Sequence, residues 1–271
     1  MSKKFTAVRL MTQLLIPILL LSAGYQYVSS APDKDWAAPV LPDENCLQRW
    51  GQLDTTQKVK SWPKYLYNKR YGWFDTTHFA TGNPRQIIAD VGTAVANGGG
   101  VITITQGLHN GITGYTGHYL VSGQVSEQQI IGVAFGIYTD WSWRFENWEG
   151  DFPRVMLSPY TRFAIEDLPS QYIGFFAAAH DLTYQQVFAC YLGGVKVVHN
   201  EPPHIVIDNN PTDTDLLPEV RRLENETFEP LIETESGWQH RPWSMIMRIT
   251  AVPDSAQTWQ FLHEETWYFG E

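Results

Sequence analysis

Asp75 and His78 stand three residues apart in Tyr71-Gly72-Trp73-Phe74-Asp75-Thr76-Thr77-His78-Phe79. A carboxylate beside an imidazole fixes its tautomer and raises its basicity, as a general base or a metal-ligand histidine requires. Residues at this spacing share a face if the segment is a helical turn. His118, Glu166, Asp167, His180 and Asp181 are the other polar candidates in the middle of the chain. These side chains suit hydrolysis in which a carboxyl group and a histidine act as acid and base, with pKa values set by their aromatic surroundings. The expected catalytic set is Asp75, His78, His118 and Glu166. The structural alternative is that Asp75 or Thr76 caps a short turn and His78 is a satisfied core histidine among Trp73, Phe74 and Phe79.

Other chemistries find less support. There is no G-x-S-x-G nucleophile motif. Cys190 lies among Val187, Phe188, Ala189, Tyr191 and Leu192, an apolar setting unsuited to a nucleophile. Glu166 with Glu146, Glu149 or Asp151 would form a glycosidase-like carboxylate pair. His78, His118 and His180 with an aspartate are adequate zinc ligands. No H-E-x-x-H or compact ligand spacing accompanies them, so the metal is left open and no cofactor is expected. His180-Asp181 is the dipeptide of metal-dependent phosphohydrolases, and equally a helix end followed by a cap. The glycines form neither phosphate-binding motif, G-x-x-x-x-G-K-[ST] or G-x-G-x-x-G.

The elements that must hold these residues can be read from caps and periodicity. Asn83-Pro84-x-Gln86 is a helix start. Ile87, Ile88, Val91, Ala94 and Val95 continue it at helical spacing to about 97. Val101 to Gln106 is a strand, and Asn110-Gly111 is a turn signal. The run 115–122 makes either a short hairpin with that strand or an irregular glycine loop. Ser126-Glu127-Gln128-Gln129 caps a helix, apolar over most of its surface from Ile130 to Trp141, that reads as the buried centre. Helices near 167–179 and 184–192 form an αα-hairpin. Residues 216–233 read as an acidic helical stretch. Trp243 to Val252 and Thr258 to Phe269 read as strands. The fold expectation is α+β: a mainly helical body over 71–194 and a small β-rich lobe over 195–271 packed on it.

The first 30 residues read as a secretory signal peptide. Lys3, Lys4 and Arg9 precede the apolar run Met11 to Ala23, and Val28-Ser29-Ser30 offers small residues for cleavage. The apolar run is shorter than the ~20 residues of a spanning helix, so membrane contact is expected only if this segment stays uncleaved. An N-terminal arm over 31–70 follows. Cys46 and Cys190 are the two cysteines; in an oxidising compartment they either bridge or remain as buried thiols. The net charge of −10 argues against nucleic-acid binding. With 11 Trp, 13 Tyr and 13 Phe, aromatic faces are available for ligands as well as for the core.

The phrases Trp73-Phe74-Asp75-x-x-His78-Phe79 and Phe163-x-x-Glu166-Asp167-Leu168-Pro169-Ser170 resemble motifs of a group of uncharacterised exported bacterial proteins, some toxin-like, with helical domains. The likeness covers 71–194 and brings no established reaction. It highlights Asp75, His78, Glu166 and Asp167. The functional expectation is an exported protein of the periplasm or cell envelope that acts as a carboxylate–histidine hydrolase. The alternative is a non-catalytic envelope binding or assembly protein with an aromatic-rich surface. Glycan, peptidoglycan or an envelope protein are the expected partners.

Overall fold

A three-stranded antiparallel sheet carries the fold. The structure, a computed structural model, describes residues 42–51, 63–150, 162–198, 202 and 224–268. The expected signal peptide and most of the N-terminal arm lie outside these residues. Helix α1 is Glu44–Gly51. Strands β1 (Tyr65–Asn68) and β2 (Gly72–Asp75) precede a 3-10 turn, Thr76–Ala80, and helix α2 (Pro84–Ala96). Then come β3 (Gly99–Leu108) and β4 (Thr113–Ser122).

In β3, β-branched Ile102 and Ile104 point into the core and Val101, Thr103 and Thr105 point out, the period-two alternation of a half-buried strand. Asn110 and Gly111 both take positive φ where the chain reverses. The sheet is completed by β8 (Trp259–Tyr268), which pairs antiparallel with β4 to give the order β3-β4-β8.

This corrects the fold expectation. The molecule is α+β, but it is not a mainly helical body with a short hairpin. Strands β3 and β4 run ten residues each. Nor do the C-terminal strands form a lobe of their own, because β8 belongs to the central sheet. The physical reason is burial: an open β3–β4 hairpin would be marginal, and a third strand plus a packed helix makes the sheet stable.

That helix is α3 (Ile130–Gly150). Val133, Ala134, Ile137, Tyr138, Trp141 and Phe145 bury its sheet-facing and core-facing sides. Trp141 donates Nε1–H to the Ile104 carbonyl at 3.1 Å and stacks on Phe145 at 5.1 Å, tying α3 to β3. Gly136 is required by close approach, since a Cβ there would lie 2.2 Å from the Val252 carbonyl oxygen. The expected strand 243–252 is therefore absent as a strand. Met245–Met247 is a 3-10 turn, and the backbone beyond it bonds to side chains and to α3. Tyr172 Oη donates to the Met247 carbonyl and accepts from Ile249 N, while Val252 N donates to the Gly132 carbonyl.

Helix α4 (Asp167–Ala179) packs beside α2 and α3. One turn, α5 (Tyr184–Gln186), passes into a π-helical turn, Val187–Tyr191. Strand β5 (Lys196–Val198) pairs with β1, giving a second sheet of order β2-β1-β5. Strands β6 (Leu231–Thr234) and β7 (Gly237–His240) form a separate hairpin, so the end of the expected acidic helix 216–233 is strand. Cys46 and Cys190 are bridged, joining α1 to the π turn. Among the described residues no helix is long and apolar enough to cross a membrane.

Asn68 anchors the second sheet. It is fully buried; Nδ2 donates to the Leu192 and Gly194 carbonyls at 2.9 and 2.6 Å, and Oδ1 accepts from Arg70 N and Tyr71 N. Asn68→Ala leaves several buried backbone groups unpaired and should cost about 2–3 kcal/mol. Urea midpoints of the two proteins check this; equal midpoints would contradict it.

Candidate functional site

Asp75 ends β2 and caps the 3-10 turn. Its Oδ1 accepts from Thr77 N at 2.8 Å and from Thr77 Oγ1 at 2.6 Å, and Oδ2 pairs with Lys64 Nζ at 3.7 Å. The turn delivers His78 to the start of α4. Two contacts hold it there. Asp75 N donates to Ser170 Oγ at 2.8 Å, and Gly174 lets α4 lie directly on the turn. A Cβ on Gly174 would stand 1.9 Å from the Phe79 carbonyl oxygen, so only glycine permits this approach. Tyr184 Oη also donates to that carbonyl, at 3.2 Å.

His78 meets Asp167 as a result, with Nε2 3.5 Å from Oδ1. Asp167 Oδ2 accepts from Ala164 N at 2.9 Å, which fixes the carboxylate. Glu146 arrives from α3 and is fully buried; one oxygen accepts from Phe163 N at 3.1 Å and the other from Gln171 Nε2 at 2.7 Å. One ring nitrogen of His78 and one oxygen each of Glu146 and Asp167 all lie within 4.8 Å of one another. The His78 side chain keeps 20% of its surface exposed, and its buried Nδ1 has no hydrogen-bond partner.

Burial governs the electrostatics. Taking a carboxylate out of water penalises the charged form, and nearby negative charge adds to this. Glu146 is raised well above the ordinary carboxyl range, by burial first and then by Asp167 and Glu149. Glu166, which immediately precedes α4, is pushed up to about 8, again by burial first and then by the Asp167 charge, with His78 opposing the shift. Glu166 is therefore a neutral acid at pH 7 within the field of His78 and Asp167.

The expected residues are thus divided. His78 meets Asp167, and Glu166 is near enough to feel the charge of both. Asp75 stands beside them, but both its oxygens are engaged by Thr77 and Lys64, and the partner of His78 is Asp167. His118 is on the outer face of the central sheet with Thr103 and β8 residues, while the core lies against the other face. His180 ends α4 with its ring 4.5 Å from Phe176, and burial lowers its pKa. Asp181 pairs with Arg85 at 2.7 Å. These separate contacts give the His-Asp dipeptide its structural reading. Asp151 lies outside the described residues.

Gln171 escaped the sequence reading, as did the role of Glu146 as a member of the His78 cluster. The signal was weak: one of two glutamates in the Trp-rich run after Trp141, and a glutamine one turn beyond Asp167. Chemically, Asp167 can hold the imidazole of His78 and Glu166 can donate a proton. One imidazole and two carboxyls also make a conceivable set of metal donors. However, the oxygens of Glu146 already accept hydrogen bonds, and its carboxyl favours the neutral form. No family model matches this chain, and neither a characterised protein nor a solved structure is detectably similar to it.

Proposed function

We propose that the chain is an exported cell-envelope hydrolase in which His78, oriented by Asp167, acts as general base and Glu166 as general acid. What carries this reading is the pairing of His78 with Asp167 at 3.5 Å, within the electrostatic reach of the buried Glu166, whose carboxyl pKa burial pushes up to about 8. A carboxyl group kept protonated by burial is the kind of group that serves as a general acid. His78 takes a proton from the attacking water, and Glu166 gives its proton to the leaving group; solvent exchange then restores both. Asp75 positions His78 through the turn that it caps. The apolar leader and the disulfide support export. The likeness to exported bacterial proteins in the two motifs belongs to the same reading, and a glycan or peptidoglycan substrate follows from the envelope location.

The test is incubation of the purified chain with peptidoglycan sacculi and with soluble glycans, following release of fragments. Cleavage should occur, and His78→Gln should slow it about a hundredfold or more without lowering the melting temperature. No cleavage of either substrate, or equal rates for the variant, would leave only the non-catalytic binding role.

A further inference from the structure

The outer face of the central sheet holds a second cluster that the carboxylate–histidine site does not use. His118 of β4 stands between Thr103 of β3 and His263 of β8 in the strand ladders. The β4–β8 ladder slips between His118 and Tyr119: Tyr119 pairs with Phe261 and His118 with His263, leaving Leu262 as the extra residue. A bulge re-aims the side chains beyond it. In an unbroken ladder His263 would stand opposite Gly117 and face the core. With the bulge, His263 and Glu265 leave the sheet on the same face as His118. Glu264 turns inward instead and accepts from Tyr115 Oη at 2.8 Å.

The geometry of the three outward side chains is close. The imidazoles of His118 and His263 stack with centroids 4.3 Å apart. Glu265 Oε1 lies 3.4 Å from His118 Nε2 and 3.7 Å from His263 Nε2. One ligand atom from each residue falls within 4.8 Å of the others. Thr103 Oγ1 lies at hydrogen-bond distance from His118 Nδ1, 3.0 Å, which leaves Nε2 to face Glu265. That Nε2 is buried and makes no hydrogen bond.

We infer that His118, His263 and Glu265 form a binding site for a divalent transition-metal ion of the zinc type. Two imidazoles and a carboxylate are a donor set of open zinc sites and of other first-row metals. Metal–ligand bonds of about 2.0–2.1 Å place tetrahedral ligands about 3.3 Å apart, so the two Glu265 distances need contract only a little. Thr103 orients the His118 ring, as partners of metal-bound histidines do. His263 and Glu265 are more than half exposed, which leaves a coordination position open to water. The ion would bridge β4 and β8 across the bulge.

Chelator-treated full chain is titrated with Zn2+ by calorimetry and with Co2+ by visible absorption, alongside His263→Ala, Glu265→Gln and His78→Gln. One ion should bind and raise the melting temperature. His263→Ala and Glu265→Gln should weaken binding about tenfold or more and abolish the Co2+ spectrum. Binding by His78→Gln should be unchanged. The exposed position of His263 keeps its variant folded. Absence of Zn2+ binding by the parent chain would overturn the inference, as would unaltered binding by His263→Ala or loss of binding by His78→Gln alone.

Discussion

Removing the Cys46–Cys190 bridge, in a Cys46→Ser/Cys190→Ser double variant, should destabilise the protein by about 5 kcal/mol. The cysteines are 144 residues apart. Cross-linking so long a loop removes much of the entropy of the unfolded chain, and the chain-entropy relation gives about that value. The folded side points the same way. Helix α1 has eight residues, too few to persist alone. Beyond the bridge, a hydrogen bond from Gln186 Nε2 to the Leu47 carbonyl at 2.8 Å holds it to α5. The π turn that carries Cys190 also brings Phe188 within 5.5 Å of Phe79, next to His78, so loosening it should reach the site. Guanidinium unfolding of oxidised protein and double variant measures the effect. A midpoint unaffected by the loss would show that the bridge restrains nothing the rest of the fold does not.

Stability should fall as pH rises from about 4.5 to 8, and Glu166→Gln should remove much of that fall. Glu166 has its folded-state pKa raised from 4.5 to about 8. Between those values the folded protein keeps a proton that the unfolded chain releases. The stabilising contribution is full below pH 4.5 and is lost as pH climbs through 8. One proton corresponds to about 1.4 kcal/mol per pH unit, so the window amounts to several kcal/mol. Glu146 is shifted in the same direction and adds to the slope in both proteins. The difference between parent and variant therefore isolates Glu166. Parallel slopes in urea unfolding from pH 5 to 8 would contradict the assignment.

Local signals were legible where the chain settles its own hydrogen bonds. Asn83 caps α2 as its neighbours implied, accepting from Gln86 N, and Ser126 with Gln129 closes a capping box. The strand near 258–269 was also readable from its β-branched and aromatic residues. The sheet it joins was not. Glycines crowd β4 and its approaches, so the run read as either a short hairpin or an irregular loop. Gly114 is there because the Trp267 ring lies over it, a cross-strand fit that no local pattern reveals. The run 243–252 has strand-like composition, but Tyr172 and Gly132 satisfy its backbone from distant elements.

The site was legible in part for the same reason. His78 and Glu166 are uncommon polar residues in aromatic segments, and that marked them. The pairing of His78 with Asp167 depends on how α4 sits on the 3-10 turn, through Gly174 and Ser170, so the nearby Asp75 seemed a better partner. His118 was noticeable as a histidine. Its place on the outer face follows from strand register, and the company of His263 and Glu265 from a bulge in β8, which sequence spacing does not disclose.

The proposed hydrolysis rests on Glu166 being a neutral acid near the His78–Asp167 pair. The most direct measurement is a pH titration of its side-chain carboxyl carbon by NMR in 13C-labelled protein, with the signal assigned by its loss in Glu166→Gln. A midpoint near 8 is the predicted result. A midpoint in the ordinary glutamate range, about 4–5, would mean that Glu166 is ionised at pH 7 and that the site has no such acid.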